Sequence, residues 1–215
     1  MPPKKTHSKP AQAKKTKSAA SSKAKVKPKT TSGSKARNAY QLKVTLKDSK
    51  PPIWRRVVVP GSIRLYDLHF VMQTLFDWSD SHMHCFHIHG QCYSQREFNL
   101  DDAEDEFWVI LEDVVKRAGA TLTYVYDFGD EWVHEIVVEK IQPAQGTNPA
   151  VECLAGERSG PPEDCGGIIG YDNLIEAIND KKHEQHRELK AWLGRKFDPE
   201  HIDLKAINAM LKVLR

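Results

Sequence analysis

Apolar and polar residues alternate in the first part of the chain that carries many large apolar side chains. Tyr40, Leu42, Val44 and Leu46 fall on one face of this segment, which is typical of a strand with one buried face. A second apolar run over residues 54–59 ends at a Pro-Gly pair and predicts a neighbouring strand. Apolar residues then recur at helical spacing over residues 65–75, which predicts a helix capped by Ser62 or Asp67.

The rest of the chain mixes strand-like and helix-like patterns. Residues 84–89, 121–128 and 132–141 have the pattern of strands, and residues 111–117 have that of a short helix. The last third is predicted to be helical over 173–178, over 184–193 and after Asp198-Pro199. The Gly- and Pro-rich residues 153–171 are predicted to form a long loop. The sequence therefore predicts an α+β fold, a single compact domain over residues 40–215 whose sheet contains a hairpin and is packed by helices.

The hairpin is predicted on either side of Gly129, where two apolar sets face each other. Pairing Tyr126 with His134 leaves Gly129 and the two residues after it unpaired, and places the large apolar side chains on one face. Gly129 is expected to have a positive φ in such a loop. Asp127 then points away from His134, which we interpret as a histidine of the core or of a pocket wall.

The segment from His82 to His89 contains four histidines and suggests a metal site. Alternation places His84 on the same face as two apolar residues and therefore inside, whereas His87 and His89 are expected to face solvent and bind no metal in the cell. A catalytic zinc has three protein ligands and one open position. A divalent metal is accordingly the cofactor that the residues suggest, with candidate ligands His82, His84 and His134.

Carboxylates near the hairpin and in the predicted loop supply candidate acid–base groups. These candidate catalytic residues are Asp130, Glu163 and Asp164. The sequence leaves open whether Cys153 or Glu163 is a third metal ligand. It also leaves open whether Glu163 and Asp164 only cap the following turn, and whether the aromatic hairpin motif serves only to specify the fold.

Charge divides the chain into a basic arm and an acidic body. Residues 1–39 hold 12 of the 32 Lys and Arg and no Asp or Glu, so the remainder holds 20 basic against 29 acidic residues, a net charge of −9. Few large aliphatic side chains occur in the arm, which is therefore predicted to be disordered. Singly and doubly spaced lysines suit salt-sensitive, sequence-independent contact with nucleic-acid phosphates. The candidate contacts are Lys4, Lys5, Lys14, Lys15, Lys17, Lys23, Lys25, Lys27 and Lys29. The alternative is a solubilising tail.

Several protein classes are excluded or disfavoured by composition. No apolar run approaches the roughly 20 residues of a membrane helix, so no membrane partner is expected. An apolar signal-peptide stretch is not seen at the N-terminus. The 4 cysteines include no Cys-x-x-Cys pair and are too few for a disulfide scaffold. We expect a cytoplasmic chain with reduced thiols, and a protein partner is left open.

A set of motifs in the body resembles a known family. They are Trp54-Arg-Arg, His82-x-His84-x-Phe86, Tyr124-x-Tyr-Asp-Phe-Gly-Asp-x-Trp-x-His134, Cys153-x-x-Gly156, Pro161-Pro-Glu-Asp-Cys-Gly-Gly167, Gly170-Tyr171 and Asp198-Pro199. In these motifs residues 40–215 resemble the plasmid pRiA4b ORF-3 family, also described as MM3350-like and related to the passenger protein of a mobile insertion element. The resemblance implies a compact α+β domain associated with plasmids and transposable elements, and it implies no particular reaction. A resolvase is suggested by the passenger label, but no serine-recombinase nucleophile context is found.

Two functional hypotheses follow from these observations. The first is an accessory or binding protein that contacts nucleic acid through its basic arm. The alternative is a metal-assisted hydrolase that uses His84, His134 and the nearby acids.

Overall fold

Eight strands form one mixed sheet in the computed structural model, which describes residues 38–144, 150–194 and 196–214. The strands are β1 (Asn38–Leu46), β2 (Trp54–Pro60), β3 (His84–Ile88), β4 (Gln91–Ser94), β5 (Ala103–Asp105), β6 (Thr121–Tyr126), β7 (Trp132–Pro143) and β8 (Glu152–Glu157). The helices are α1 (Leu65–Phe76), α2 (Leu111–Val114), α3 (Gly167–Asn179), α4 (His186–Leu193) and α5 (Leu204–Leu211). Neighbours in the sheet follow the order β5-β4-β3-β6-β7-β1-β2-β8, antiparallel except for the parallel β4–β5 pair. The predicted α+β class with a helical C-terminal third is confirmed.

Strand β1 lies inside the sheet, between β2 and β7. The four apolar residues predicted to share a face, Tyr40, Leu42, Val44 and Leu46, are all buried. Burial alternates along most of the strand because successive side chains point to opposite faces. A register shift between Gln41 and Leu42 marks a bulge in the pairing with β7.

The β6–β7 hairpin is present, but its register differs from the predicted one by two residues. Tyr126 pairs with Trp132 and Tyr124 with His134, so the loop is longer than predicted. A shift of two residues preserves the faces, because side chains alternate with a period of two. Tyr124, Tyr126 and Trp132 therefore lie on one buried face, as expected. Phe128, predicted to pair with Trp132, lies in the loop instead and is only half-buried. The positive φ values fall at Asp127 and Glu131 instead of Gly129.

Helix α1 begins without the predicted side-chain cap. The N-cap position is Arg64, which makes no capping hydrogen bond and instead forms an ion pair with Asp67 at 2.7 Å. At the other end, the buried guanidinium of Arg55 donates to the Leu75 carbonyl at 2.8 Å and to the Glu157 carbonyl at 2.9 Å. Arg55 therefore ties the end of α1 to strands β2 and β8. Burial lowers the pKa of this guanidinium to about 10.

The long loop predicted over residues 153–171 is wrong in part, because this segment contains a strand and the start of a helix. Strand β8 pairs with β2, and α3 begins at Gly167. The glycines in this segment were interpreted as signs of a loop, but glycines also occur where two elements pack closely. A Cβ at Gly156 would lie 2.8 Å from the Trp54 carbonyl oxygen and 2.7 Å from Ile202 Cδ1. This close approach of β2 and the C-terminal region requires a residue without a side chain.

The C-terminal helices lie close to their predicted positions but start elsewhere. The last helix, α5, begins at Leu204, where the Asp203 carboxylate accepts hydrogen bonds from the backbone N–H groups of Lys205 and Ala206. This N-cap replaces the predicted start after Asp198-Pro199. A side-chain contact also ties α5 to the sheet, since Asn208 exchanges hydrogen bonds of 2.8 Å with the Cys153 backbone.

The predicted basic arm lies almost entirely outside the described residues. Strand β1 already includes Asn38 and Ala39, two residues before the predicted start of the domain. The predicted disorder and the arm lysines fall within residues 1–37, which are not described. In the described ranges, none of the helices is long and apolar enough to cross a membrane.

Candidate functional site

Strand β3 directs His84 into the interior of the molecule. His84, Phe86 and Ile88 are buried as predicted, and His87 and His89 are exposed. His84 lies opposite Tyr126 of β6 in the sheet. The histidine is thus held on the side of the sheet that packs against α1.

Helix α1 places a second buried histidine directly on His84. The rings of His69 and His84 stack with centroids 3.5 Å apart and planes 6° apart, and both side chains are fully buried. Burial, with a contribution from His84, lowers the pKa of His69 to about 2. His69 is therefore neutral at physiological pH, which is the form of imidazole that binds metals.

Glu106 fixes one nitrogen of His84. This carboxylate is fully buried in a short 3-10 turn, and its two oxygens lie 2.9 and 3.1 Å from His84 Nε2. The other ring nitrogen, Nδ1, is buried and has no hydrogen-bond partner among the described residues. A histidine held by a carboxylate on one nitrogen and free on the other is the usual arrangement of a metal-ligating histidine.

Both ring nitrogens of His69 have hydrogen-bond partners. The Tyr124 hydroxyl, which accepts a hydrogen bond from Gln73 Nε2 at 3.1 Å, lies 2.8 Å from His69 Nδ1. Burial raises the pKa of Tyr124 well above its usual value, so the hydroxyl keeps its proton. Its oxygen can also accept from Nδ1–H, and in that tautomer Nε2, 2.9 Å from Asp80 Oδ1, has the lone pair that a metal would bind.

Asp80 completes a group of three potential metal ligands. One ligand atom from each of His69, Asp80 and His84 lies within 4.8 Å of the other two. The Asp80 backbone N–H is held by Gln73 Oε1 at 2.8 Å, and its side chain is 37% exposed. The site therefore consists of two buried histidines and a carboxylate that reaches solvent. We call this group the histidine-pair site.

A second polar group lies beside it, on the loop that follows Asp80. The ring nitrogens of His82 lie 3.6 Å from Asp127 Oδ2 and 3.1 Å from Asp164 Oδ1, within ion-pair distance but not aligned as hydrogen bonds. Asp127 reaches His82 because its positive φ of 57° turns the chain away from β6. The predicted candidates His82 and Asp164 are thus brought together, and Asp127 joins them.

Glu163 links the two groups. Its carboxylate accepts hydrogen bonds from the Tyr126 hydroxyl at 2.5 Å and from the Ser79 hydroxyl at 2.6 Å. Burial raises the pKa of Asp80, and the charge of Glu163 adds to that effect while His84 opposes it. Glu163 therefore lies close enough to the histidine-pair site to influence its ionisation.

Asp130 stands apart from this network. Its carboxylate accepts a hydrogen bond from the Gly166 N–H at 3.0 Å, at the start of α3. A Cβ at Gly167 would lie 2.5 Å from the Asp130 carbonyl oxygen, so the glycine pair lets the hairpin loop contact the helix. The geometry gives Asp130 a part in joining these two segments.

His134 has a different environment from His84. It is fully buried against the rings of Phe76, Trp78 and Tyr124, with centroid distances of 4.5, 5.3 and 5.6 Å. Neither ring nitrogen makes a well-aligned hydrogen bond. Burial lowers its pKa to about 3, although nearby backbone groups favour the protonated form. In the described part of the chain, His134 belongs to no group of three potential ligands.

A groove beside α1 lies away from these polar groups. It has a volume of about 1080 Å³ and is lined by residues of α1, α5 and the segment around Val151. Its charged residues are Arg64, Asp67 and Lys212, of which the first two are paired with each other. The groove therefore offers fewer groups that could bind a metal or act in catalysis than the histidine-pair site does.

Comparison with known proteins agrees with the motif resemblance. The model of the family described as plasmid pRiA4b ORF-3-like protein matches residues 38–206. The chain belongs to this family. It is 40% identical over 159 residues to the uncharacterized protein y4hQ of Sinorhizobium fredii, covering 73% of this chain and 81% of that protein. It also resembles the crystal structure of MM3350, a protein of unknown function from Methanosarcina mazei, with a TM-score of 0.71 and 34% identity, covering 80% of this chain and 98% of the other.

In this pRiA4b ORF-3-like domain, sequence reasoning missed three residues of the histidine-pair site. His69 lies one helical turn after Leu65 on the face predicted to be apolar, and Asp80 follows the helix in a Trp-Ser-Asp-Ser turn. Glu106 lies in a segment with no regular pattern. A polar residue on an otherwise apolar helix face was the available signal, because it must find partners when buried.

Proposed function

We propose that this domain is a metal-dependent hydrolase centred on His69, Asp80 and His84. The observation that carries the proposal is the buried, unpartnered Nδ1 of His84, in a residue that has a ligand atom within 4.8 Å of ligand atoms of His69 and Asp80. A buried polar atom without a partner is costly, and a bound cation would satisfy it. The proposal keeps His84 from the predicted ligands and replaces His82 and His134 with His69 and Asp80.

The ligand chemistry favours a transition-metal or zinc ion. Two neutral imidazoles and one carboxylate are a common set for Zn²⁺, Mn²⁺ and Fe²⁺, and three protein ligands leave an open position for water. Glu106 holds His84, and the Tyr124 hydroxyl lies beside His69 Nδ1. The two rings are stacked with their planes 6° apart, so one of them must rotate for both to bind the same ion. A metal-bound water at such a site is acidic enough to act as a nucleophile near neutral pH.

Nearby acids supply candidate proton acceptors. The charge of Glu163 contributes to the raised pKa of Asp80, and the Glu163 carboxylate accepts a hydrogen bond from Ser79, the residue before Asp80. Asp164 and His82 lie on the solvent side of that loop. We assign Glu163 the role of general base and leave Asp130 a structural role, because Asp130 holds the start of α3.

The experiment measures metal binding to the untagged chain after chelation and dialysis. We expect one tightly bound divalent ion whose retention depends on Asp80, in addition to any ion held elsewhere in the chain, and Asp80→Asn should weaken binding at this site by about tenfold or more. Asp67→Asn is the matched control, since it removes an exposed carboxylate of the same helix region that pairs with Arg64. Equal binding by wild type and Asp80→Asn contradicts the centre.

Hydrolysis is tested separately with a panel of chromogenic phosphate and carboxylate esters. The metal-loaded wild type should turn over at least one ester class, and Glu163→Gln should reduce that rate by about 10²-fold or more without releasing the metal. A chain that binds metal through Asp80 but hydrolyses none of the panel contradicts the hydrolase and leaves a metal-binding module.

The second candidate function is non-specific nucleic-acid contact through residues 1–39. The charge of this segment, 12 basic and no acidic residues, supports it. The family description names a plasmid, which fits an accessory protein that works on or near DNA. Removing residues 1–37 should abolish DNA binding, and binding by the full chain should fall about tenfold or more between 50 and 200 mM salt. DNA binding that survives the truncation contradicts this role.

A further inference from the structure

The face of β3 opposite His84 carries a different set of potential ligands. Cys85 and His87 alternate with the inward residues, so both project from the other side of the sheet. Cys92 of β4 lies directly opposite His87 in the strand register. These three side chains belong to none of the polar contacts of the histidine-pair site, and we call them the hairpin cluster.

A tight turn fixes the positions of the hairpin cluster. His89 and Gly90 connect β3 to β4, with φ values of 52° and 85°. Two successive residues of positive φ form the turn that best matches the twist of paired strands. The register of β3 on β4 is thereby determined, and Cys92 is held next to His87 without help from distant parts of the chain.

The distances suit a tetrahedral ion. Cys85 Sγ lies 3.2 Å from His87 Nε2, and the three ligand atoms of the cluster lie within 4.8 Å of one another. Around a tetrahedral zinc, sulfur atoms lie about 3.8 Å apart, and sulfur lies about 3.6 Å from nitrogen. The cluster therefore needs only small side-chain adjustments to surround an ion. His87 is exposed, so a fourth position is open to solvent.

The cysteines do not have the character of reactive thiols. Burial raises the pKa of Cys85 to about 12, and burial also raises that of Cys92. Both are therefore protonated and weakly nucleophilic at neutral pH.

We propose that Cys85, His87 and Cys92 bind a zinc ion on the outer face of the sheet. Two sulfur ligands and one imidazole select zinc over the harder cations that a carboxylate site accepts. This site is independent of the proposed hydrolase centre, because it uses other residues on the opposite face of the strand. Zinc bound here would join β3 to β4 near the edge of the sheet.

Cobalt substitution tests the site in the full-length, untagged and reduced chain. Cobalt bound to thiolate sulfur gives an intense sulfur-to-metal charge-transfer absorption, which the histidine-pair site cannot produce because it contains no sulfur. We expect this absorption to saturate at about one cobalt per hairpin cluster and to disappear when zinc is added. Cys92→Ser and His87→Ala should each weaken cobalt binding by tenfold or more.

Two control variants match these substitutions. Cys165→Ser removes a thiol outside the cluster, and His89→Asn replaces an exposed turn histidine with a residue that tolerates positive φ. Both should keep the full absorption. The proposal is overturned if the wild type shows no thiolate charge-transfer band, if the band survives in Cys92→Ser, or if the chain isolated from cells has Cys85 and Cys92 joined as a disulfide.

Discussion

His84 and His134 are two buried histidines on the same face of one sheet, yet their surroundings differ in kind. Both side chains are 0% exposed, and both occur in the motifs that suggested a metal site. His84 contacts a carboxylate and another histidine, with Asp80 opening the group to solvent. His134 is enclosed by aromatic rings and makes no aligned hydrogen bond.

The difference shows that burial and motif membership do not identify a functional histidine. What distinguishes His84 is the set of polar groups around it, since Glu106 fixes one ring nitrogen and the ring stacks on His69, with Asp80 close to both histidines. A ligand needs such a holding partner to keep its orientation. His134 has none and is best explained as part of the core, as its aromatic neighbours in the sequence suggested.

The largest expected effect comes from removing the partner of His84. Glu106→Leu would leave His84 buried with no acceptor, an environment resembling that of His134. Leaving a buried donor without its carboxylate acceptor costs about 3 kcal/mol in the free energy of unfolding. Urea unfolding at pH 7 measures it, with Glu106→Gln as the milder matched variant because it keeps an acceptor oxygen. A loss below about 1 kcal/mol for Glu106→Leu would show that the contact does not hold His84.

A smaller loss is expected from Tyr124→Phe, which removes the hydroxyl between His69 and Gln73. Leaving buried polar groups unpaired costs about 1–3 kcal/mol. The matched control is Tyr126→Phe, whose hydroxyl bonds the partly exposed Glu163 and should matter less for stability. Thermal and urea unfolding of both variants measure this, and a larger loss in Tyr126→Phe than in Tyr124→Phe contradicts the expected ranking.

The pH dependence of the free energy of unfolding tests whether His134 stays neutral in the folded protein. Burial lowers the pKa of His134 to about 3 in the folded protein, below the ordinary value of 6.5. Between these pH values the unfolded chain therefore binds a proton at this residue that the folded chain does not. Stability therefore falls as pH decreases from about 6.5 toward 3, by at most about 1.4 kcal/mol per pH unit for this histidine. His134→Leu should flatten the profile in this range, leaving the similar contribution of His69. An unchanged slope would mean that His134 does not remain neutral in the fold.

Local patterns predicted much of the fold but only part of the candidate site. Alternation in β3 correctly sorted His84 inside and His87 outside, because the two-residue period is a property of the strand itself. The partners of His84 come from α1, from the loop after it and from a 3-10 turn, at sequence separations that no local pattern encodes. The predicted register of the hairpin was wrong for a related reason. Asp127 has the positive φ, and it lies near His82, which is distant in sequence.

The smallest expected effect is that of His134→Leu at pH 7. The substitution removes two buried nitrogens that have no aligned partners, and it orphans no donor or acceptor elsewhere, so the polar part of the change is nearly neutral or favourable. It also removes the edge contact with Phe76, and such aromatic pairs contribute about 0.5–1.5 kcal/mol. The two parts oppose each other, and the free energy of unfolding should change by less than about 1.5 kcal/mol. Metal affinity should stay within about twofold of the wild type, because His134 is not one of the three proposed ligands. A tenfold loss of metal affinity in His134→Leu would instead return this histidine to the centre and remove the distinction between it and His84.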